Sequence, residues 1–374
     1  IWMTEGTAAL AAIVLRDSAH LNERDALEAR VGGWSRHDPP MPLYGIEDAE
    51  EAITRFTAVP FGTRTELAGT AAITLSRAGH VLGAASVRVE LGDRSILFSG
   101  DLGRGSHPVL RPREGPPAAQ TVVVESTYGD RNHPEPSGLP HEGLASAIRR
   151  TIAREGSVLV PAFAVDRTEL VLQALSAMVR EGRIPAVPVY VDSPMALAAL
   201  DVYRRPSLQS ELGTRWAADL IDLPLLHAAR TPEESMALNA PRTPSIIISA
   251  SGMASGGRVV HHLKSLVPDR RNTVVLTGYQ AVGTRGRALA DGAREIKVHG
   301  QYVPVRAEVV TDEEFSVHAD ADELIGWLRQ LPEPPETVYV VHGEADASRA
   351  FARRVGDELG WLAVVPRLGE RVRL

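Results

Sequence analysis

The stretch Glu313-Glu314-Phe315-Ser316-Val317-His318-Ala319-Asp320, followed by Tyr339-Val340-Val341-His342-Gly343-Glu344, decides how the chain is read. Each histidine follows a segment that reads as a short strand and stands where that strand gives way to a loop. Between them, Asp322-Glu323-Leu324-Ile325-Gly326-Trp327-Leu328 reads as a helix. Histidines at the carboxyl edge of a sheet are where α/β proteins gather metal ligands and proton donors. Two further edges lie upstream, at Gly79-His80 and at Ser99-Gly100-Asp101-Leu102-Gly103. The expectation is that all four meet.

Working outward, residues 7–32 carry apolar positions at helical spacing and are expected to form a helix that frays into a loop, with the Pro-rich piece His37-Asp38-Pro39-Pro40-Met41-Pro42 as a surface connection. A second helix is expected at 46–56, then strands at 71–77, 84–91 and 94–98, the last two joined by the tight-turn pair Gly92-Asp93. Residues 121–125 form a fourth strand with an acidic end. From about residue 130, strands at 157–161, 188–192, 245–250 and 273–277 alternate with helices at 143–154, 167–179, 196–203 and 257–266. A loop-rich acidic region lies between 203 and 245. Such alternation implies a mostly parallel sheet covered by helices. The domain order expected is one lobe at 1–129, an inserted α/β lobe at 130–310, and a return to the first lobe at 311–374.

Composition sets the limits. The chain has 374 residues, 44% hydrophobic and 23% charged, comfortable for two soluble lobes. A net charge of -7 gives no global basic footprint, so any nucleic-acid contact must be local. With no cysteine, disulfides and thiolate zinc sites are excluded, and a metal must be held by imidazole and carboxylate. No apolar run reaches the roughly 18 residues needed to span a bilayer, and no signal peptide is visible, so the expected location is the cytoplasm.

Taken singly, the polar residues at strand ends have bland readings. His80 and His342 could be structural turn residues, Asp101 a turn former and Glu125 a cap. Together they match the donor types of a zinc site without thiolates, in which a carboxylate can bridge two ions. A buried carboxylate beside an imidazole also fixes that ring's tautomer. Two glycine-rich stretches stand in the inserted lobe, Ser249-Ala250-Ser251-Gly252-Met253-Ala254-Ser255-Gly256-Gly257-Arg258 and Thr277-Gly278-Tyr279-Gln280-Ala281-Val282-Gly283-Thr284-Arg285-Gly286-Arg287. Small residues before a helix expose backbone N–H groups to phosphate. Tyr279 offers stacking, and Arg287 a phosphate fork. Neither stretch ends in the Lys-Ser/Thr of a nucleotide P-loop.

The ordered set Gly79-His80-Val81-Leu82-Gly83, Ser99-Gly100-Asp101-Leu102-Gly103-Arg104, Glu125-Ser126-Thr127-Tyr128-Gly129-Asp130-Arg131, Phe315-Ser316-Val317-His318-Ala319-Asp320 and Val341-His342-Gly343-Glu344 resembles the β-CASP ribonucleases. These are metallo-β-lactamase-fold enzymes that include the pre-mRNA 3′-end endonuclease. Pro161-Ala162-Phe163-Ala164-Val165 and Gly252-Met253-Ala254-Ser255-Gly256-Gly257-Arg258 are similar to theirs as well. The resemblance implies an αββα metallo-β-lactamase sandwich with an inserted α/β domain. It implies His80 as ligand of one zinc, His342 of a second, and Asp101 as the carboxylate bridging both. It further implies Glu125 orienting His318, and His318 as proton donor. Ser251, Gly252, Arg258, Tyr279, Gly283, Arg287 and Ser316 become the candidates for RNA phosphate or base contact, in a cleft between the lobes. A histidine at position 342, where DNA-repair relatives usually carry an aliphatic residue, favours RNA. The implied chemistry is in-line attack of a two-zinc hydroxide on phosphorus, with a histidine protonating the leaving oxygen.

The family's main zinc signature, His-x-His-x-Asp-His, appears nowhere in the sequence. The chain begins Ile1-Trp2 without Met, so the expectation is truncation, with about 80 residues bearing the signature upstream. Asp166 stands where relatives commonly have Gly and is expected to cap the next helix. The rival readings are a non-catalytic RNA-binding protein that has lost its zinc signature and a lactamase-fold hydrolase of small esters, the latter disfavoured because such enzymes lack the inserted lobe. Expected partners are RNA and a second copy of the chain, with no membrane.

Overall fold

Alternating and continuous apolar runs fold as their periods dictate. The computed structural model describes residues 1–33, 35–134, 138–213 and 223–373. It divides into a first unit, Ile1–Asn132, Arg205–Thr214 and Val317–Leu374, and a second, His133–Arg204 and Arg215–Ser316.

The first unit is built on a seven-stranded sheet. Its order is Ala363–Val364, Thr337–Val340, Thr121–Val124, Arg94–Phe98, Ala85–Leu91, Ala71–Arg77 and Thr65–Glu66. Gly92, at φ 61, lies in the tight turn that pairs Leu91 with Arg94. Thr337–Val340, Thr121–Val124 and Arg94–Phe98 pair in parallel. Ala71–Arg77 is antiparallel to Ala85–Leu91, which is itself antiparallel to Arg94–Phe98. All of Ala71–Arg77, Arg94–Phe98, Thr121–Val124 and Thr337–Val340 therefore run the same way and end at one edge. Val122, Val124, Val338 and Val340 are fully buried and pack in one core with Trp327 and Phe351 of the helices Ala321–Leu328 and Ala345–Leu359. Burying such side chains contributes about 1.5–3 kcal/mol each.

The first helix, Glu5–Gly32, is unbroken. Thr4 Oγ1 caps its start by accepting the Thr7 N–H at 3.1 Å, and Gly33 ends it at φ 63. The helix expected over 7–32 is thus present and starts two residues earlier. A difference concerns the segment Pro206–Glu211, expected in the inserted lobe. Here it belongs to the first unit. Leu212 bridges Leu110, Glu211 O accepts the Arg111 N–H at 3.0 Å, and the Glu211 carboxylate accepts the Gly83 N–H at 2.9 Å. These backbone contacts span too much sequence for local pattern to reveal.

The second unit carries a six-stranded parallel sheet, in the order Leu226–Ala228, Val189–Asp192, Ile246–Ser249, Val158–Pro161, Thr273–Thr277 and Glu308–Asp312. Ile246–Ser249 and Thr273–Thr277 are buried throughout, the continuous apolar signature of a parallel sheet covered on both faces. The edge strand Leu226–Ala228 and the hairpin Glu295–Val298/Gln301–Pro304 were not anticipated. Residues 214–222 of the acidic region lie outside the described residues. Asp166 stands at the N-cap position of Arg167–Arg180 but does not cap it. It is buried, and its Oδ1 instead accepts the Tyr203 hydroxyl at 2.9 Å.

Candidate metal centre

Strand direction assembles this site. His80 follows Ala71–Arg77, Asp101 follows Arg94–Phe98, Glu125 follows Thr121–Val124 and His342 follows Thr337–Val340, so all four emerge at the same sheet edge. His318 arrives differently. The strand before it, Glu308–Asp312, belongs to the sheet of the second unit, which corrects the strand-end reading of this histidine. It is held instead by an antiparallel bridge with Gly103, continued by the Ala319 N–H donating to Leu102 O at 2.7 Å. Gly103 is required there, because a Cβ would lie 1.8 Å from Gly79 O. The loops bearing His80, Asp101 and His318 thus meet backbone against backbone.

The side chains converge. His80, Asp101 and His318 offer ligand atoms that all lie within 4.8 Å of one another. Asp101 presents Oδ2 to His80 Nε2 at 3.7 Å and Oδ1 to His342 Nδ1 at 3.2 Å. The His80 and His318 rings are 4.2 Å apart between centroids. His342 has φ 56, and Thr127 holds the turn by donating its hydroxyl to His342 O at 3.1 Å. Thr127 is a residue that the sequence reading quoted without assigning a role.

Glu125 is 1% exposed and lies 3.3 Å from His318 Nδ1. It also accepts the backbone N–H of Leu102 at 2.6 Å and of Thr127 at 3.3 Å. Burial pushes this carboxyl up, but the His318 hydrogen bond and charge, with smaller help from Thr127 and His80, outweigh it and hold Glu125 below the usual carboxylate range. Asp101 goes the other way. Burial first, and the nearby Glu125 charge second, raise it against the opposing pull of His342 and His318. A neighbouring cation would relieve that cost. Imidazoles gathered about one carboxylate are the donor set zinc takes when thiolates are absent, so these residues fit a metal.

The candidates for RNA contact lie in or at the end of the second unit, and each has its own surroundings. Arg258 departs from expectation, because its guanidinium is engaged internally. Nη1 donates to Asp192 Oδ1 at 2.6 Å and Ala229 O at 2.9 Å, and Nη2 to Arg230 O at 3.0 Å. Asp192 is fully buried and also receives Ser235 Oγ and His262 Nε2 at 2.6 Å each, so Arg258 neutralises a core carboxylate rather than presenting an open fork. Ser251 Oγ accepts the Ser255 N–H at 3.1 Å. Gly252 packs so closely that a Cβ would meet the Phe163 ring at 2.6 Å. Ser316 is buried, Tyr279 is half-buried, and Gly283 is exposed at φ 85. Arg287 pairs through Nε with Asp291 at 2.9 Å on an accessible surface.

A sheet that gathers imidazoles and carboxylates at one edge, interrupted in sequence by a parallel-sheet insertion, is the plan of a metallo-hydrolase of the metallo-β-lactamase type. Comparison with known families agrees. Residues 168–289 match the model described as the Beta-Casp domain, and residues 302–366 the Zn-dependent metallo-hydrolase RNA specificity domain. The chain is 33% identical to "Ribonuclease TTHA0252" of Thermus thermophilus, over 94% of this chain and 77% of that protein. It is 30% identical to an "RNase J-like protein" of Methanocaldococcus jannaschii, over 99% of this chain and 82% of that one. It is 32% identical to "Transcription termination factor FttA" of Pyrococcus abyssi, over 96% of this chain and 56% of that longer protein. The chain belongs to the β-CASP ribonuclease family of the metallo-β-lactamase superfamily.

Proposed function

We propose that this protein is a zinc-dependent ribonuclease that hydrolyses RNA phosphodiester bonds with two metal ions. The observation that carries the reading is Asp101, whose two oxygens face His80 on one side and His342 on the other. His80, Asp101 and His342 would therefore be the residues that hold the metal, Asp101 by offering a carboxylate to both imidazole sides. The named activity of the two ribonuclease relatives and the match to an RNA specificity domain support RNA as substrate. The proposal includes a cytoplasmic location and a second copy of the chain as partner. No helix among the described residues is long and apolar enough to cross a membrane.

When bound, the metal supplies Lewis-acid neutralisation of phosphodiester charge and a water acidic enough to attack near neutral pH. The protein's own residues do the rest. Glu125, kept ionised, receives the His318 Nδ1–H and so sets the ring's tautomer and plane. His318 Nε2 is then the atom that carries the proton to the leaving oxygen. Leu102 and Thr127 fix the Glu125 carboxylate through their N–H groups, so this relay rests on backbone as well as side chains. Arg287 is the better candidate for an RNA phosphate, since Arg258 serves Asp192.

The second reading, a non-catalytic RNA-binding protein, is favoured by one observation, the absence of His-x-His-x-Asp-His from the sequence. Metal analysis and RNA cleavage by the protein expressed from its native reading frame separate the two. About two zinc equivalents that are lost on Asp101→Asn, together with metal-dependent cleavage, are expected. RNA binding with neither metal nor cleavage would establish the alternative.

A further inference from the structure

A second group of metal-type donors stands within the second unit and uses none of the residues above. His141, Asp312 and Glu314 offer ligand atoms that all lie within 4.8 Å of one another. Asp312 ends the strand Glu308–Asp312, and its side chain is 4% exposed. His141 stands at the N-cap position of the helix Glu142–Ala153. Its ring is stacked on Phe315, 3.9 Å between centroids and 20° from parallel, which fixes the ring plane. Nδ1 then lies 3.1 Å from Asp312 Oδ2.

Each carboxylate is also oriented by a backbone N–H. Asp312 Oδ1 accepts from Glu314 N at 3.1 Å, and both Glu314 oxygens accept from His141 N at 3.1 Å. An ionised carboxylate has about four acceptor sites, so these bonds leave capacity for a cation. Two ligands on a tetrahedral ion with bonds of about 2.0–2.1 Å sit about 3.3 Å apart, close to the Nδ1–Oδ2 spacing. A His–Asp hydrogen bond by itself would explain that pair. The second carboxylate, Glu314, is anchored by the His141 backbone N–H, which leaves its oxygens within 4.8 Å of the other two ligand atoms. Glu314 lies on the exposed side and gives a path from solvent.

We propose that His141 Nδ1, Asp312 and Glu314 bind a divalent cation. One imidazole with two carboxylates and no thiolate suits Zn²⁺ or Mn²⁺. The ion would clip the end of a sheet strand to the start of a helix, and the clipped segment runs directly into Ser316, Val317 and His318 in sequence.

The test measures metal per chain by mass spectrometry, together with the Zn²⁺-induced rise in melting temperature, on the whole protein. His141→Gln and Asp312→Asn should each lower the retained zinc by about one equivalent and shrink the melting shift. His80→Ala should lower metal content elsewhere and leave this equivalent in place. Should Asp312→Asn fail to fold, Glu314→Gln, on the exposed side, decides the matter with an expected affinity loss of at least about ten-fold. Equal metal content and equal melting shifts in parent, His141→Gln and Glu314→Gln would overturn the proposal and leave a plain His–Asp ion pair.

Discussion

Glu125 in the first unit and Glu169 in the second are equally hidden, at 1% and 0% exposure, yet their environments push them in opposite directions. Glu125 meets His318 and two backbone N–H groups and is held ionised. Glu169, in the first turn of Arg167–Arg180, has no well-formed hydrogen bond to either carboxylate oxygen among the described residues. Burial first, and the Asp166 charge second, drive it well above the ordinary carboxylate range, although the nearby N–H groups of Glu169 and Asp166 moderate the rise. Burial fixes the cost of a charge, and the partners decide whether the charge survives. The first region is therefore built to work with charge, and the second to exclude or neutralise it.

Substitutions can break or sharpen that contrast. The largest effect is expected from Asp101→Asn, which removes the carboxylate between His80 and His342. RNA cleavage should fall by about 10³-fold or more, with metal content, measured in parallel, falling too. Unchanged metal content would show that Asp101 is not a ligand. Next is Asp192→Ala, which strands Arg258 and the fully buried His262. Leaving a buried charge without its partner costs about 3–5 kcal/mol, read as a lowered denaturant midpoint. Asp192 is held below its usual range, because its bonds to His262, Ser235 and Arg258 outweigh the burial that would raise it. Its contribution is thus present above the unfolded carboxyl pKa and lost as pH falls through the folded one.

Glu169 has the reverse sign. With its folded pKa raised, the native state keeps a proton that the unfolded chain gives up, so stability falls as pH rises above the unfolded value. Glu169→Gln should flatten a slope of up to about 1.4 kcal/mol per pH unit, visible when melting temperatures from pH 5 to 8 are compared with the parent. An identical pH profile in the variant would mean that Glu169 is ionised in the fold. The smallest effect is expected at Arg287. Losing its surface pair with Asp291 should cost no more than about 0.5 kcal/mol, while RNA affinity falls and its salt dependence drops by about one unit of slope. Arg258→Lys should do the opposite, lowering stability more than affinity.

Much of the first region was legible because a polar residue at the end of an apolar run is visible in one dimension. His80, Asp101, Glu125 and His342 were readable on that ground, and the parallel direction of their strands brings them to one edge. His318 was found for a reason that does not hold in the fold, since its place is set by Gly103 and not by a preceding strand. The second region was less legible. Arg258 reads as an RNA contact until Asp192, 66 positions away, is seen to hold it. Asp166 reads as a cap until Tyr203, 37 positions away, takes its carboxylate. Residue type announces what a side chain can do, but which partner occupies it is settled by long-range packing.

The most direct test is His318→Ala, assayed for metal content and for single-turnover RNA cleavage across pH. Cleavage should drop by about 10²–10⁴-fold, and the limb of the pH profile assigned to a proton donor should disappear. Glu125→Gln should show a milder form of the same change. Cleavage at the parent rate with an unaltered pH profile would mean that the Glu125–His318 pair moves no proton, and the proposed relay would have to be abandoned.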